Sequence, residues 1–123
     1  TPIDVYGNGN MYRDFTYIDD IIDGIFKLIN TPNQDLFLNK NNSYELFNIG
    51  NDNPINLKYF ISIIEKCLGK NAKMNFLEMQ PGEVKRTSAD LTKLKKIIEF
   101  SPKTNIEEGI PKFIEWYKKH YKY

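Results

Sequence analysis

The chain has two arginines, Arg13 and Arg86, against many lysines. Arg13 lies in the stretch Gly9-Asn10-Met11-Tyr12-Arg13-Asp14-Phe15-Thr16-Tyr17-Ile18-Asp19-Asp20. That stretch reads as a glycine turn, a short extended segment and the start of an amphipathic helix. Thr16 is the expected N-cap, with Asp19 as its capping-box partner and Asp20 also in the first turn. An extended arginine beside a helix start suits an anion, and the same pattern also simply starts a helix. Asp19 and Asp20 resemble a catalytic or metal-binding pair, but their dipole and capping role is sufficient. His120 has no cysteine or histidine partner at metal-ligand spacing and reads as solvated. Cys67, on a helix face, reads as a small core residue.

With 123 residues, the chain suits one domain that buries about two thirds of its unfolded surface. A net charge of +1 leaves no electrostatic footprint for nucleic acid or an anionic membrane. No apolar run reaches membrane-spanning length, and no signal-peptide pattern opens the chain. One cysteine excludes an internal disulfide and favours a reducing compartment, the cytoplasm. The chain opens at Thr1-Pro2 without a methionine, so it is expected to be processed or to be part of something longer.

The elements alternate. Ile3 to Tyr6 reads as a strand ended by Gly7-Asn8-Gly9-Asn10, and Met11 to Thr16 as an extended segment. Ile18, Ile21, Ile22, Ile25, Phe26 and Ile29 recur at helical spacing, and Asn30-Thr31-Pro32 stops that helix. Asn33 to Asn42 reads as a polar surface excursion. Tyr44 to Ile49 is strand-like, and the segment from Gly50 to Pro54 is a turn. Asn56 is expected to cap a second helix with Leu57, Phe60, Ile61, Ile64 and Leu68 on its apolar face, closed by Gly69. Lys73 to Leu77 reads as a short strand, and Gln80 to Asp90 as a loop. Asp90 is expected to cap a short helix carrying Leu91, Leu94, Ile97 and Ile98. Thr104 and Glu107 form a capping box for a last helix with Ile106, Ile110, Phe113, Ile114 and Tyr117 inward. Pro111 falls inside that helix, where it should bend it. The order predicts a mixed α/β fold with short strands and about four helices.

Three stretches in this order resemble the C-terminal part of nucleotide-sugar epimerases and dehydratases of the extended short-chain dehydrogenase/reductase superfamily. The first is Val5-Tyr6-Gly7-Asn8-Gly9 followed by Arg13 to Asp20. The second is Phe47-Asn48-Ile49-Gly50-Asn51. The third is Gln80-Pro81-Gly82-Glu83 with Ala89-Asp90, then Thr104 to Ile110 and Trp116-Tyr117. The form of the third motif looks most like the UDP-glucuronate 4-epimerase branch. The resemblance covers essentially the whole chain and implies a single substrate-binding domain, residues 1–123, that lacks the Rossmann cofactor half. The family holds NAD on a glycine-rich turn and moves protons with a Tyr-x-x-x-Lys pair. Here Gly7 and Gly9 are followed by Tyr12, not glycine, and none of the eight tyrosines has a lysine four residues on. The resemblance therefore implies an NAD-dependent epimerase acting on UDP-glucuronate, of which this chain alone binds no NAD and is inactive. A part of a 4,6-dehydratase, or a non-catalytic binding module, is the alternative.

Carried over residue by residue, Arg13 matches the arginine that contacts the nucleotide-sugar diphosphate, for which a guanidinium's bidentate geometry is suited. A structural pair with Asp14 or Asp19 is the other reading. Gln80 stands where many relatives have a second phosphate-binding arginine. Glu83 matches an acidic position that accepts hydrogen bonds from ribose hydroxyls, or is a solvated loop charge. Arg86, or Lys85 beside it, would supply the charge that Gln80 lacks. Tyr6 would pack near the base, or in the core. The resemblance also implies that Glu45 to Ile49 joins the sheet of the missing half. That would leave an exposed edge and an apolar face, and would leave a homodimer through either one open.

Overall fold

The computed structural model describes residues 1–36 and 44–122. Two short strand pairs and a set of helices make up this part. β1 (Ile3–Val5) pairs in parallel with β4 (Met74–Phe76), and β2 (Tyr12–Arg13) pairs antiparallel with β3 (Ile55–Asn56). The helices are α1 (Ile18–Ile29), the single turn α2 (Asn33–Leu36), α3 (Leu57–Leu68), α4 (Thr92–Ile97) and α5 (Ile106–Tyr121). The mixed α/β expectation holds. Of the predicted surface excursion, α2 is the described part; residues 37–43 lie outside the described residues.

Two apolar clusters hold these elements. Leu91, Leu94, Ile98 and Phe100 form one, against Leu28, Phe47, Ile49, Ala89 and Ile97. Ile63, Ile106 and Ile110 form the other, where α3 meets α5, and Cys67 packs against it as expected. Phe15 stacks on Phe60 beside this second cluster, with ring centres 3.9 Å apart. α3 begins and ends as its sequence predicts. Asn56 accepts N–H bonds from Lys58 and Tyr59, and Gly69 closes the helix in the left-handed conformation.

Several expectations are corrected. The N-cap of α1 is Tyr17, and no side chain caps it. Thr16 lies one residue too early to reach the N–H groups of the first turn. Asp20 turns away from its own helix and accepts the N–H groups of Lys103 and Thr104. At α5 the cap is Asn105, whose Oδ1 accepts the Glu108 N–H at 3.0 Å. Glu107 is drawn elsewhere, to the Tyr59 hydroxyl at 2.6 Å. Asp90 acts from one residue before the cap of α4, taking the Thr92 N–H at 2.9 Å. The Thr92 contacts hold the Asp90 carboxyl below the usual carboxylate range.

Tyr44 to Ile49 is not a strand. Side chains hold it instead of a backbone ladder. Glu45 pairs with Lys93, Phe47 and Ile49 enter the first cluster, and the Lys93 ammonium stands 5.1 Å from the centre of the Phe47 ring. A strand needs a neighbouring strand to complete its hydrogen bonds. β3, which went unpredicted, forms because Met11 to Arg13 offers Ile55 and Asn56 such a neighbour.

The apolar stripe of α1 is present but faces outward. Ile22, Phe26 and Ile29 are 55%, 66% and 75% exposed, and Gly24 is the buried position of the helix. A Cβ at Gly24 would stand 2.9 Å from the Phe100 ring, so the helix approaches the core through its glycine. Phe113 and Tyr117 of α5 were expected inward and are also exposed. Both line an open apolar groove between α3 and α5 rather than a closed core.

The Tyr59–Glu107 bond joins α3 to α5 and makes stability depend on pH. The Tyr59 hydroxyl holds the Glu107 carboxyl below its ordinary value of 4.5, and the carboxylate raises the Tyr59 phenol above 10.0. A carboxyl that is lowered on folding stabilises the fold above its unfolded value and loses that contribution as pH falls through the folded one. A raised phenol stabilises below about 10 and loses its contribution as pH rises through the folded value. The melting-temperature difference between wild type and Tyr59→Phe should therefore be constant at neutral pH and shrink below about pH 4. Thermal melts from pH 3 to 7 check this. A difference that does not vary with pH would remove the bond from the stability of the fold.

Candidate functional site

β2 has partners on both sides. β3 lies along one edge. Along the other, the Tyr12 N–H donates to Lys85 O at 2.9 Å, Thr87 N–H donates to Tyr12 O at 3.2 Å, and Tyr12 forms a parallel bridge with Arg86. Bridge partners share a face and neighbours alternate. Arg86 therefore lies on the face of Tyr12, while Arg13 lies on the face of Met11. The two arginines come from adjacent backbone but from opposite faces.

Arg13 is half-buried, and its Nη1 donates to Tyr12 O at 2.8 Å and towards Lys85 O at 3.5 Å. No carboxylate pairs with it among the described residues. Asp14, one suggested partner, spends its carboxylate on the N–H groups of Asp52, Asn53 and Ala89. The guanidinium thus keeps its charge uncompensated at a fixed place.

Gln80-Pro81-Gly82-Glu83 is a tight turn. Glu83 N–H donates to Gln80 O at 3.1 Å, and Gly82 has φ of +85°. Proline followed by a residue of positive φ is the signature of a type II turn, so glycine is required at the second position. The Glu83 carboxylate reaches back to the Gln80 N–H at 3.0 Å, which uses one of its two oxygens. Gln80 itself is exposed. Tyr6 is half-buried at the head of the 3-10 turn Tyr6–Gly9.

A cavity of about 260 Å³ sits where these segments converge, lined by Asn8, Asn10, Met11, Glu78, Met79 and Lys85 among others. The candidate residues flank it more than they line it. Tyr6 precedes its first wall, Gln80 follows Met79, and Lys85 stands in it where Arg86 does not. Lys85 was the alternative to Arg86, whereas Asn8 and Glu78 escaped the motif reading. Strand alternation around Arg86 would have pointed to Lys85. Asn8 and Glu78 meet only across a chain separation that no local pattern spans, with Asn8 Nδ2 3.3 Å from Glu78 Oε1. A larger cavity of about 560 Å³ lies between α3 and α5. It is apolar, lined by Phe60, Ile64, Ile110 and Phe113 among others, and among the described residues Lys118 is the one charged side chain that lines it.

The turn from Gly7 to Gly9 does not form a dinucleotide cradle. A Cβ on Gly9 would stand 2.4 Å from a Lys58 carbon, and one on Gly7 would stand 2.8 Å from Met11. Side chains already fill the space that a dinucleotide cradle keeps open. The turn also leads into β2 rather than into a helix N-terminus.

The small α/β domain that carries these segments belongs to a recognised class. The family model for GDP-mannose 4,6 dehydratase matches residues 2–113. The chain belongs to this family of extended short-chain dehydrogenase/reductase proteins and is most like its UDP-glucuronate 4-epimerases. It is 50% identical over 115 residues to an uncharacterised protein of Methanocaldococcus jannaschii, covering 94% of this chain and 32% of that protein. To the CapI protein of Staphylococcus aureus it is 42% identical, covering 98% of this chain and 39% of that one. The UDP-glucuronic acid 4-epimerase of Bacillus cereus, solved with UDP-glucuronic acid and NAD, superimposes with a TM-score of 0.80 at 36% identity. That match covers 98% of this chain and 36% of the epimerase. The chain thus spans about a third of the length of these relatives. Among the described residues, no helix is long and apolar enough to cross a membrane.

Proposed function

We propose that residues 1–123 are the substrate-side domain of an NAD-dependent, cytoplasmic nucleotide-sugar 4-epimerase acting on UDP-glucuronate. The observation that carries this reading is Arg13, a half-buried guanidinium without a carboxylate partner among the described residues, directed towards the backbone of Lys85, which lines the cavity. Burying a charge is costly unless a partner compensates it, and an anionic ligand is the natural partner. Arg13 would grip the UDP diphosphate with paired N–H donors, and Gln80 would donate hydrogen bonds without adding charge. The free oxygen of Glu83 would accept from a ribose hydroxyl, and Tyr6 would lie against the base. Lys85, with Arg86 on the other face of the same strand, would supply further positive charge.

Anchoring UDP in this way leaves the sugar as the moving part. The hydride acceptor, the proton-transferring tyrosine and its lysine belong to the portion of the relatives that this chain does not span. The chain alone is then inactive and binds no NAD. The outward stripe of α1 is the surface against which that portion would pack. A second copy of the chain is the competing occupant, and sedimentation of the isolated chain separates the two.

The test is titration of UDP into the gene product that carries this chain and into its Arg13→Ala variant. Losing a charge-assisted bidentate contact should weaken binding by about tenfold to a hundredfold. Arg13→Lys should restore only part of it, because an ammonium is a point charge. Equal binding by wild type and Arg13→Ala would overturn the diphosphate role. Product analysis with UDP-glucuronate then separates a 4-epimerase from a 4,6-dehydratase, and the absence of turnover would favour a binding module.

A further inference from the structure

The side chain that does most to tie the site segments together is Asp14, which the function proposed above does not use. Its Oδ2 accepts Ala89 N–H at 2.8 Å and Asp52 N–H at 3.0 Å, and its Oδ1 faces Asn53 N–H at 3.3 Å. Its own N–H donates to Thr87 Oγ1 at 3.2 Å. These contacts come from two loops far apart in the chain, the turn after Ile49 and the segment after Arg86. Gly50 shows how closely the pieces fit. A Cβ there would stand 2.4 Å from the Ala89 Cβ and 3.1 Å from Asp14 Oδ2.

The backbone ladder between Tyr12 and the Lys85–Thr87 segment ends at Thr87. Beyond that point the Asp14 carboxylate takes its place, receiving the next available N–H, that of Ala89. A carboxylate accepting several backbone N–H groups is a strong, directional clasp. It acts immediately beside Arg13, on the segment that sets the position of Lys85.

We propose that Asp14 is a positioning residue for the diphosphate subsite: it clasps the loops after Ile49 and Arg86 against β2 and so fixes the cationic corner made by Arg13 and Lys85. The proposal rests on the reading of Arg13 as a diphosphate contact. Asparagine at position 14 has the same shape but one acceptor oxygen fewer, so one clasped N–H group would face an amide donor. The corner would then loosen without losing any group that touches the ligand.

The experiment is a double-mutant cycle on the full gene product, with Arg13→Ala, Asp14→Asn and both together. UDP and uridine are titrated at a temperature where melts show every variant folded. Asp14→Asn should weaken UDP binding about tenfold in the wild-type background and have almost no effect once Arg13 is alanine. Uridine, which lacks the phosphates, should bind all variants alike. Equal losses for Asp14→Asn in both backgrounds, or equal losses for UDP and uridine, would overturn the positioning role. So would a fall in melting temperature with unchanged UDP affinity. If Arg13→Ala binds UDP as wild type does, the diphosphate reading itself fails, and the proposal fails with it. Should Asp14→Asn not fold, Thr87→Val takes its place in the cycle. It removes the hydroxyl that receives the Asp14 N–H, and the same non-additivity is expected of it.

Discussion

Leu94→Ala is expected to remove about 2–5 kcal/mol of stability. Leu94 is 0% exposed and shares its cluster with Leu91, Ile98 and Phe100. Two terms add. The deleted carbons lose their transfer free energy, and the cavity left behind closes only in part. Collapse is restricted here because α4 is held on two sides, by the Glu45–Lys93 pair and by Asp90 at its start. A domain of this size has only about 5–15 kcal/mol in total, so the variant should melt at least 10 °C or so lower. Urea unfolding checks it, with the midpoint falling at an unchanged slope. An exposed residue of α1, such as Ile29, provides the comparison. Its truncation in the isolated chain should stay within about 0.5 kcal/mol. If both variants fell equally, the outward orientation of α1 would be wrong.

Pro111→Ala is expected to act in the opposite direction and stabilise the chain by about 1–3 kcal/mol. α5 runs from Ile106 to Tyr121 with Pro111 inside it. Proline has no N–H to offer the Glu107 carbonyl, and its ring crowds that oxygen. The proline is exposed, so alanine forfeits little packing. Alanine also frees the unfolded chain, which returns about 0.4–1 kcal/mol of the gain. The net effect should remain positive and appear as a higher urea midpoint. A destabilised variant would mean that Pro111 helps seat Ile106 and Ile110 against α3, and that the seating outweighs the lost bond.

Helices were the most legible part of the fold. The boundaries of α3 follow from Asn56 and Gly69, two residues whose preference is local and steric. The caps of α1 and α5 were misplaced by a single residue for a different reason. Each first turn contains an acid that could serve its own helix, Asp20 beside the expected Thr16–Asp19 box and Glu107 within the expected Thr104–Glu107 box, and in each case a distant group offers it a better bond. Asp20 leaves for Lys103 and Thr104, and Glu107 for Tyr59. Capping chemistry is visible in a sequence, but the competition for its carboxylates is not.

Of the site, the motif around Arg13 and the Pro81-Gly82 turn were readable, because both depend on residues that are neighbours in the chain. The cavity beside them was not, since Asn8, Glu78 and Lys85 meet only through β1–β4 pairing and the Tyr12–Arg86 bridge. The same bridge decided which cation shares a face with Arg13, a matter of register that one residue of slippage would reverse.

The sequence by itself determined the class of fold, the helices, the family and the absence of a tyrosine–lysine pair. Each of these is carried by residue type and local spacing. The tertiary structure alone decided that α1 turns its isoleucines outward and that Tyr44 to Ile49 is held by side chains rather than by a ladder. It alone decided that Asp14 leaves Arg13 without a carboxylate. The physical reason is shared by all three. Apolar faces, strand edges and carboxylates are indifferent to which partner satisfies them, and only the folded chain shows which partner is within reach.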